Sequence, residues 1–294
     1  MLTHFICPNG DKVPTKECAT RCIQSRECAT KQIRRFLVKA QRPWTGIIST
    51  TQALNGLRHE YLKITQDYAV SIKDMTYAMF GTAVHTLFDT QEDLYEGENG
   101  VNLHLEVGGK TIVTGTYDYY DNETKTLYDY KTYGSYKVSK CLGMDYTLED
   151  SGEFYKIGPK KNKPKQKKVW FQNPDKVDVF EPAMQLNCYR LMVQKYGLPV
   201  ENLAIQAIVK DAGLQIARSR GIESQTYIID IPFIDDKTVM DFYTIQQKGL
   251  SNSLKKGILP PACDERERWG GIRCERFCPV TEHCDYYKAN YGGK

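Results

Sequence analysis

Apolar positions fall at helical spacing in several stretches of this chain. Ala53, Leu54, Leu57, Tyr61, Leu62 and Ile64 recur turn by turn behind hydroxyl caps at 49–51, and predict one helix. Met75, Met79, Ala83 and Leu87 stand four apart and predict a second helix over 73–87. A basic helical segment over 31–38 is broken by Pro43. A further helix over 183–195 is closed by Gly197 and Pro199, and a long one covers 235–254. Runs rich in Val, Ile, Thr, Leu and Tyr occupy 101–107, 110–119 and 126–132. Gly108-Gly109 and Asp121-Asn122 supply turns between them, so the three predict a meander. Two more strands are expected over 203–209 and 226–231. Residues 133–181 form a polar insertion with few periodic apolar positions. The order of elements predicts a mixed α/β fold.

At 294 residues and 41% apolar content, the chain can bury one large core or two modest ones, which excludes disorder of the whole. No apolar run approaches the length of a membrane span, and residues 1–10 lack the sections of a signal peptide, so a soluble cytoplasmic protein with no membrane partner is expected. The net charge is +4, but it is unevenly placed. Seven lysines and no acid fall within 156–168, and without them the remainder sums to −3. With Pro159 and Pro164 interspersed, this tract reads as a flexible loop, either solvated or tracking phosphates through Lys160, Lys161, Lys163, Lys165, Lys167 and Lys168.

The spacing Cys-x10-Cys-x3-Cys-x5-Cys occurs twice, at Cys7, Cys18, Cys22, Cys28 and at Cys263, Cys274, Cys278, Cys284. Sulfurs that converge on a metal need such a repeated geometry, whereas a chain with a full core has less need of disulfides. Four thiolates suit Zn2+ or a [4Fe-4S] cluster, and spacing leaves both open. Cys141 and Cys188 lie outside both blocks and read as small buried hydrophobes.

The meander carries Gly115-Thr116-Tyr117-Asp118 and Asp129-Tyr130-Lys131. If the two strands pair, Asp118, Asp129 and Lys131 meet at one end of the sheet, because residues two apart on a strand share a face. Paired carboxylates repel unless a divalent cation neutralises them, and oxygen donors suit Mg2+ or Mn2+. A lysine beside such a cation can position an attacking water and stabilise charge on phosphorus. No serine or cysteine nucleophile constellation and no Gly-rich phosphate loop is present.

Two flanking motifs complete an ordered set: Gly81 with His85, and Gln185 with Tyr189. Over residues 49–210 the chain thereby resembles the PD-(D/E)XK nuclease superfamily, within it the RecB-like nucleases that include CRISPR-associated exonucleases. The resemblance implies a restriction-endonuclease-like core, a central mixed sheet flanked by helices, with Cys-rich metal-binding modules at both termini. The corresponding divisions are 1–32, 33–256 with a basic insertion at about 134–180, and 257–294. His85, Asp118, Asp129 and the Tyr130 backbone carbonyl would ligate Mg2+ or Mn2+, and Lys131 would act on the attacking water. Gln185 and Tyr189 would line the site and hold the scissile strand, with Glu106 a lesser candidate carboxylate.

The activity implied is metal-dependent hydrolysis of DNA phosphodiesters, as an exonuclease on single strands or duplex ends. The setting would be a bacterial or phage-infected cell, with a helicase or recombination partner supplying a motor for long duplexes. The alternative is a non-cleaving nucleic-acid-binding adaptor with structural metal sites. Several RecB-like nucleases staple the fold with an iron–sulfur cluster, using one cysteine before the core and three after it. This chain departs from that pattern with four at each end, which favours two self-contained sites, with DNA contacts expected from Arg21, Arg26, Lys31, Arg34 and Arg35.

Overall fold

The computed structural model describes residues 1–22, 28–41, 43–89, 97–99 and 102–292. The chain opens with β1 (Leu2–Ile6), β2 (Lys12–Pro14), α1 (Thr15–Thr20), α2 (Lys31–Lys39), α3 (Thr50–Ala53), α4 (Leu57–Thr65), β3 (Tyr68–Ser71) and α5 (Ile72–Asp89). The middle holds β4 (Gly97–Asn99), β5 (Asn102–Val107), β6 (Lys110–Thr116), β7 (Tyr119–Asp121), β8 (Thr126–Tyr133), α6 (Ser135–Cys141), β9 (Met144–Phe154) and β10 (Pro164–Gln172). It closes with α7 (Phe180–Lys195), β11 (Asn202–Val209), α8 (Gln215–Arg218), β12 (Thr226–Asp230), α9 (Asp236–Lys256), α10 (Ile272–Arg276) and α11 (Asp285–Tyr291). Arg26 and Val101, which the expected DNA contacts and the first expected strand include, lie outside the described residues.

The mixed α/β class holds. The largest sheet has the order β12-β11-β8-β7-β4. Its centre is the parallel pair β8 and β11, with the other neighbours antiparallel. Parallel neighbours are buried on both faces, and β11 reads accordingly as a nearly continuous apolar run with Leu203, Ala204, Ile205, Ala207 and Val209 buried. Helices α5, α6 and α7 pack on β8, and α7 and α9 cover the β5–β6 hairpin.

The expected meander is two structures. β5 and β6 pair around Gly108-Gly109 as a separate antiparallel hairpin, while β7 and β8 belong to the large sheet. The second expected strand breaks after Thr116, and Tyr117 and Asp118 carry the chain from one sheet to the other. The expected helix over 49–64 is likewise interrupted. Gly56, at φ 89°, separates α3 from α4, and an added Cβ there would stand 2.8 Å from the Glu267 carboxyl carbon.

The opening stretch contains strands that hydrophobic pattern does not reveal. β1 pairs antiparallel with β2 and parallel with β3, and Phe5, Cys18, Leu37 and Ile72 bury a small second core. The ends of the chain meet: Lys12 pairs with Glu282 at 2.8 Å, and His283 Nε2 lies 2.8 Å from the Asp67 carbonyl.

The lysine tract is an ordered ribbon instead of a flexible loop. β9 and β10 pair antiparallel, with Lys160, Lys161 and Lys163 in the turn and Lys165, Lys167 and Lys168 on β10. Cross-strand contacts stiffen it: Tyr146 opposes Trp170, Lys168 Nζ lies 3.9 Å from the centre of the Tyr146 ring, and Lys165 pairs with Glu153 at 2.8 Å. No described helix is long and apolar enough to cross a membrane.

The fold makes a direct stability prediction. Ile205 is fully buried on β11 opposite Asp129, whereas Ile228 on β12 is 61% exposed. Ile205→Ala should cost about 2–5 kcal/mol in a denaturant melt, and Ile228→Ala within roughly 0.5 kcal/mol.

Candidate active site and thiolate centres

The site is built where β8 outruns its neighbour. β7 pairs with β8 only as far as Tyr128, and among the described residues no strand pairs with the backbone beyond it on that side. Asp118 takes the strand's place: its Oδ2 accepts a hydrogen bond from the Tyr130 N–H at 2.7 Å. The chain break between β6 and β7 therefore aims one carboxylate at the strand that carries the other. His85, on α5, lies above them with Nδ1 3.3 Å from Asp118 Oδ1, and the helix is seated by stacking of Phe88 on Tyr130 at 4.5 Å.

Lys131 joins this group to α7. Its Nζ stands 2.5 Å from Asp129 Oδ2 and donates to Gln185 Oε1 at 3.2 Å. Gln185 Nε2 donates in turn to the Tyr189 hydroxyl at 2.9 Å, which lies 2.9 Å from Thr50 Oγ1. Asp129, Lys131, Gln185 and Tyr189 of the expected catalytic set thus form one chain of contacts, and His85 and Asp118 a pair whose carboxylate acts on Asp129. Tyr189 is buried, and its hydroxyl is engaged on both sides, so it reaches the site through Gln185. Gly115 is required by this packing, since an added Cβ would sit 2.5 Å from Tyr189 Cε1 and 3.0 Å from Thr50 Cγ2. Gly81 is not, as its Cβ would only touch Thr132 Oγ1 at 3.7 Å. Glu106 stands apart, paired with Lys195 at 2.8 Å and His104 at 3.3 Å.

Thr50 belongs to this network, and nothing in the sequence marks it as a site residue. It sits within a run of capping hydroxyls, and the cap is in fact Ser49, in a capping box with Gln52. Thr50 is left free to turn inward.

Asp129 is 1% exposed, and its Oδ2 is held in an ion pair by the Lys131 ammonium. Burial pushes its carboxyl above the ordinary range, Lys131 opposes that rise, and the neighbouring Asp118 reinforces it. The hydrogen bond to Asp118 holds His85 above its usual value. Among the described residues no three His, Cys, Asp or Glu side chains are drawn in to ion-binding distance. The donors nevertheless suit a hard divalent cation: two carboxylates, one of them buried, and an imidazole beside them.

All ten cysteines are unbridged. Cys263, Cys274, Cys278 and Cys284 line one cavity, together with His59. Cys263 lies against the first turn of α4, where the His59 backbone N–H donates to its sulfur, and burial raises its thiol to about 11. The His59 ring is held neutral, pushed down to about 2 by burial and by the Arg273 charge. Cys7, Cys18, Cys22 and Cys28 lie within electrostatic reach of one another, and burial raises Cys18 to about 11. Protonated thiols of this kind bind a metal only by releasing protons. Cys141 and Cys188 are buried in the main core, as expected. Arg34 is no DNA contact: it is buried, with Nε donating to the Cys18 carbonyl at 2.7 Å and Nη1 to that of Ala29 at 2.5 Å. Arg21, Lys31 and Arg35 remain exposed.

No family model matches this chain, and no curated protein does. Among solved structures the chain is similar to SSO0001, at 16% identity and a TM-score of 0.45, over 87% of this chain and 94% of that one.

Because the Asp129 carboxyl is raised in the folded state, its contribution to stability is complete below the unfolded value of about 4 and is lost as pH rises through the folded one. The ion-free protein should therefore weaken as pH climbs through that window, by on the order of a kcal/mol. Asp129→Asn should flatten the slope in pH-dependent thermal melts. Added Mn2+ should raise the melting temperature of the parent protein and leave that of the variant in place.

Proposed function

We propose that this protein is a metal-dependent deoxyribonuclease of the PD-(D/E)XK type, built on a restriction-endonuclease-like core. The observation that carries this reading is the seat of Asp118 on the Tyr130 N–H, which brings two carboxylates and Lys131 together on the unpaired edge of β8. His85, Asp118, Asp129 and the Tyr130 carbonyl would hold Mg2+ or Mn2+. Such an ion supplies a water of lowered pKa and polarises the phosphoryl oxygens.

The chain's own residues do the rest. Gln185 and the buried Asp129 fix the Lys131 ammonium at the mouth of the site, where it donates to the attacking water or to a non-bridging phosphate oxygen. Tyr189 and Thr50 lock Gln185, so the lysine loses little freedom when substrate arrives. The ribbon lysines carry the positive charge that a phosphate backbone requires. Single strands or duplex ends are the proposed DNA substrates, in the cytoplasm, with a helicase or recombination partner for longer duplexes.

With Mg2+ or Mn2+ the protein should degrade linear DNA, and Lys131→Ala and Asp118→Ala should each be slower by about 10²-fold or more. Equal cleavage by all three proteins would reject the assignment of these residues. DNA binding without cleavage in any of them would instead identify a non-cleaving adaptor.

The ribbon is tested separately by replacing Lys160, Lys161 and Lys163 with Gln. The slope of log affinity for single-stranded DNA against log salt should become shallower by roughly 0.7 for each phosphate that these lysines neutralise. An unchanged slope removes the ribbon from the interface.

A further inference from the structure

His59 is the third residue of α4 and is 7% exposed. Arg273, on α10, approaches its Nδ1 with Nη2 at 2.9 Å. A guanidinium can only donate, so Nδ1 carries the lone pair and the neutral ring bears its proton on Nε2. Arg273 is itself pinned by the Asn55 carbonyl at 2.7 Å and the Glu267 carbonyl at 3.1 Å. Nε2 is buried without a hydrogen-bond partner. Leaving a buried donor unsatisfied costs about 1–3 kcal/mol.

The surroundings of this orphan identify its partner. His59 lines the cavity that Cys263, Cys274, Cys278 and Cys284 also line, with Arg58 and Arg268 adding positive charge around it. Sulfur bound to a metal is anionic and accepts hydrogen bonds. Ligands of a metal centre are routinely oriented by such outer donors, and hydrogen bonds to cluster sulfurs set the reduction potential.

We infer that His59 is a positioning residue for a sulfur-ligated metal centre held by Cys263, Cys274, Cys278 and Cys284, donating its Nε2–H to one of the bound sulfurs while Arg273 fixes the ring. A zinc ion and an iron–sulfur cluster present the same acceptor chemistry. This inference concerns the C-terminal cysteines and stands whether or not the protein cleaves DNA.

The full chain would be purified without oxygen, stripped of metal, and refilled with Zn2+ in one arm and with Fe2+ and sulfide in the other. The arm that fills the site identifies the centre. His59→Asn keeps an acceptor for Arg273 and removes the donor, and His59→Gln returns an amide N–H near the Nε2 position. The Asn variant should release its metal to a chelator about 10–100-fold more readily, with the Gln variant restored toward the parent. An iron centre should also show a lower reduction potential in the Asn variant, and a zinc site refilled with Co2+ a shifted absorption band. Melting of the metal-free Asn form should be no lower than that of the metal-free parent, which separates loss of the donor from misfolding. Parent-like retention and spectra in His59→Asn, failure of both arms, or metal kept in Cys274→Ser but lost in Cys7→Ser would each overturn the inference.

Discussion

A single hydrogen bond, from the Tyr130 N–H to Asp118 Oδ2, substitutes for a missing strand, and the arrangement of the site depends on it. β7 stops opposite Tyr128, and an unpaired backbone donor on the inner part of a sheet must find an acceptor. Supplying it from a carboxylate, and not from a peptide carbonyl, turns a sheet defect into a charged site. The break after Thr116 is the other half of the device, because a strand that continued straight would have carried Asp118 past this position.

The same arrangement is under electrostatic tension. Asp129 is buried beside a second carboxylate, and the Lys131 ammonium close to it is also shared with Gln185. A buried carboxylate beside a second one is costly, and proteins keep such groups where function repays the cost. The scaffold around it is correspondingly stiff: Thr50, Tyr189 and Gln185 form a chain of hydrogen bonds, and the absent side chain of Gly115 gives the Tyr189 ring its room. His59 repeats the theme at the other centre, where Arg273 engages one ring nitrogen and the other is buried without a partner in a residue that lines the four-cysteine cavity.

The termini bind each other through charged contacts at the surface and through the α4 region beneath. Arg58 pairs with Asp285, and Lys12 with Glu282. An exposed pair such as Lys12 with Glu282 contributes little individually. Burial matters more: Val280 packs into the main core, and Arg273 reaches Asn55 and His59 on the far side of the chain. The C-terminal cysteine block is therefore fastened to the body of the protein by the segment that also bears Thr50.

Local pattern alone established the long helices α2, α5, α7 and α9 and the strands β8, β11 and β12, because periodicity and turn chemistry are properties of neighbours in sequence. It also set Asp129 and Lys131 on one strand face, since the period of two requires nothing else. It could not foresee the β1–β2–β3 sheet, whose short strands have no alternation to read, nor the β9–β10 ribbon, whose two exposed faces remove the apolar signal. The seat of Asp118, the inward turn of Thr50 and Arg34, and the meeting of His59 with the four C-terminal cysteines were decided only by tertiary packing. Each is a contact between groups distant in the chain, and unsatisfied backbone and side-chain polar groups become visible only once burial has denied them water.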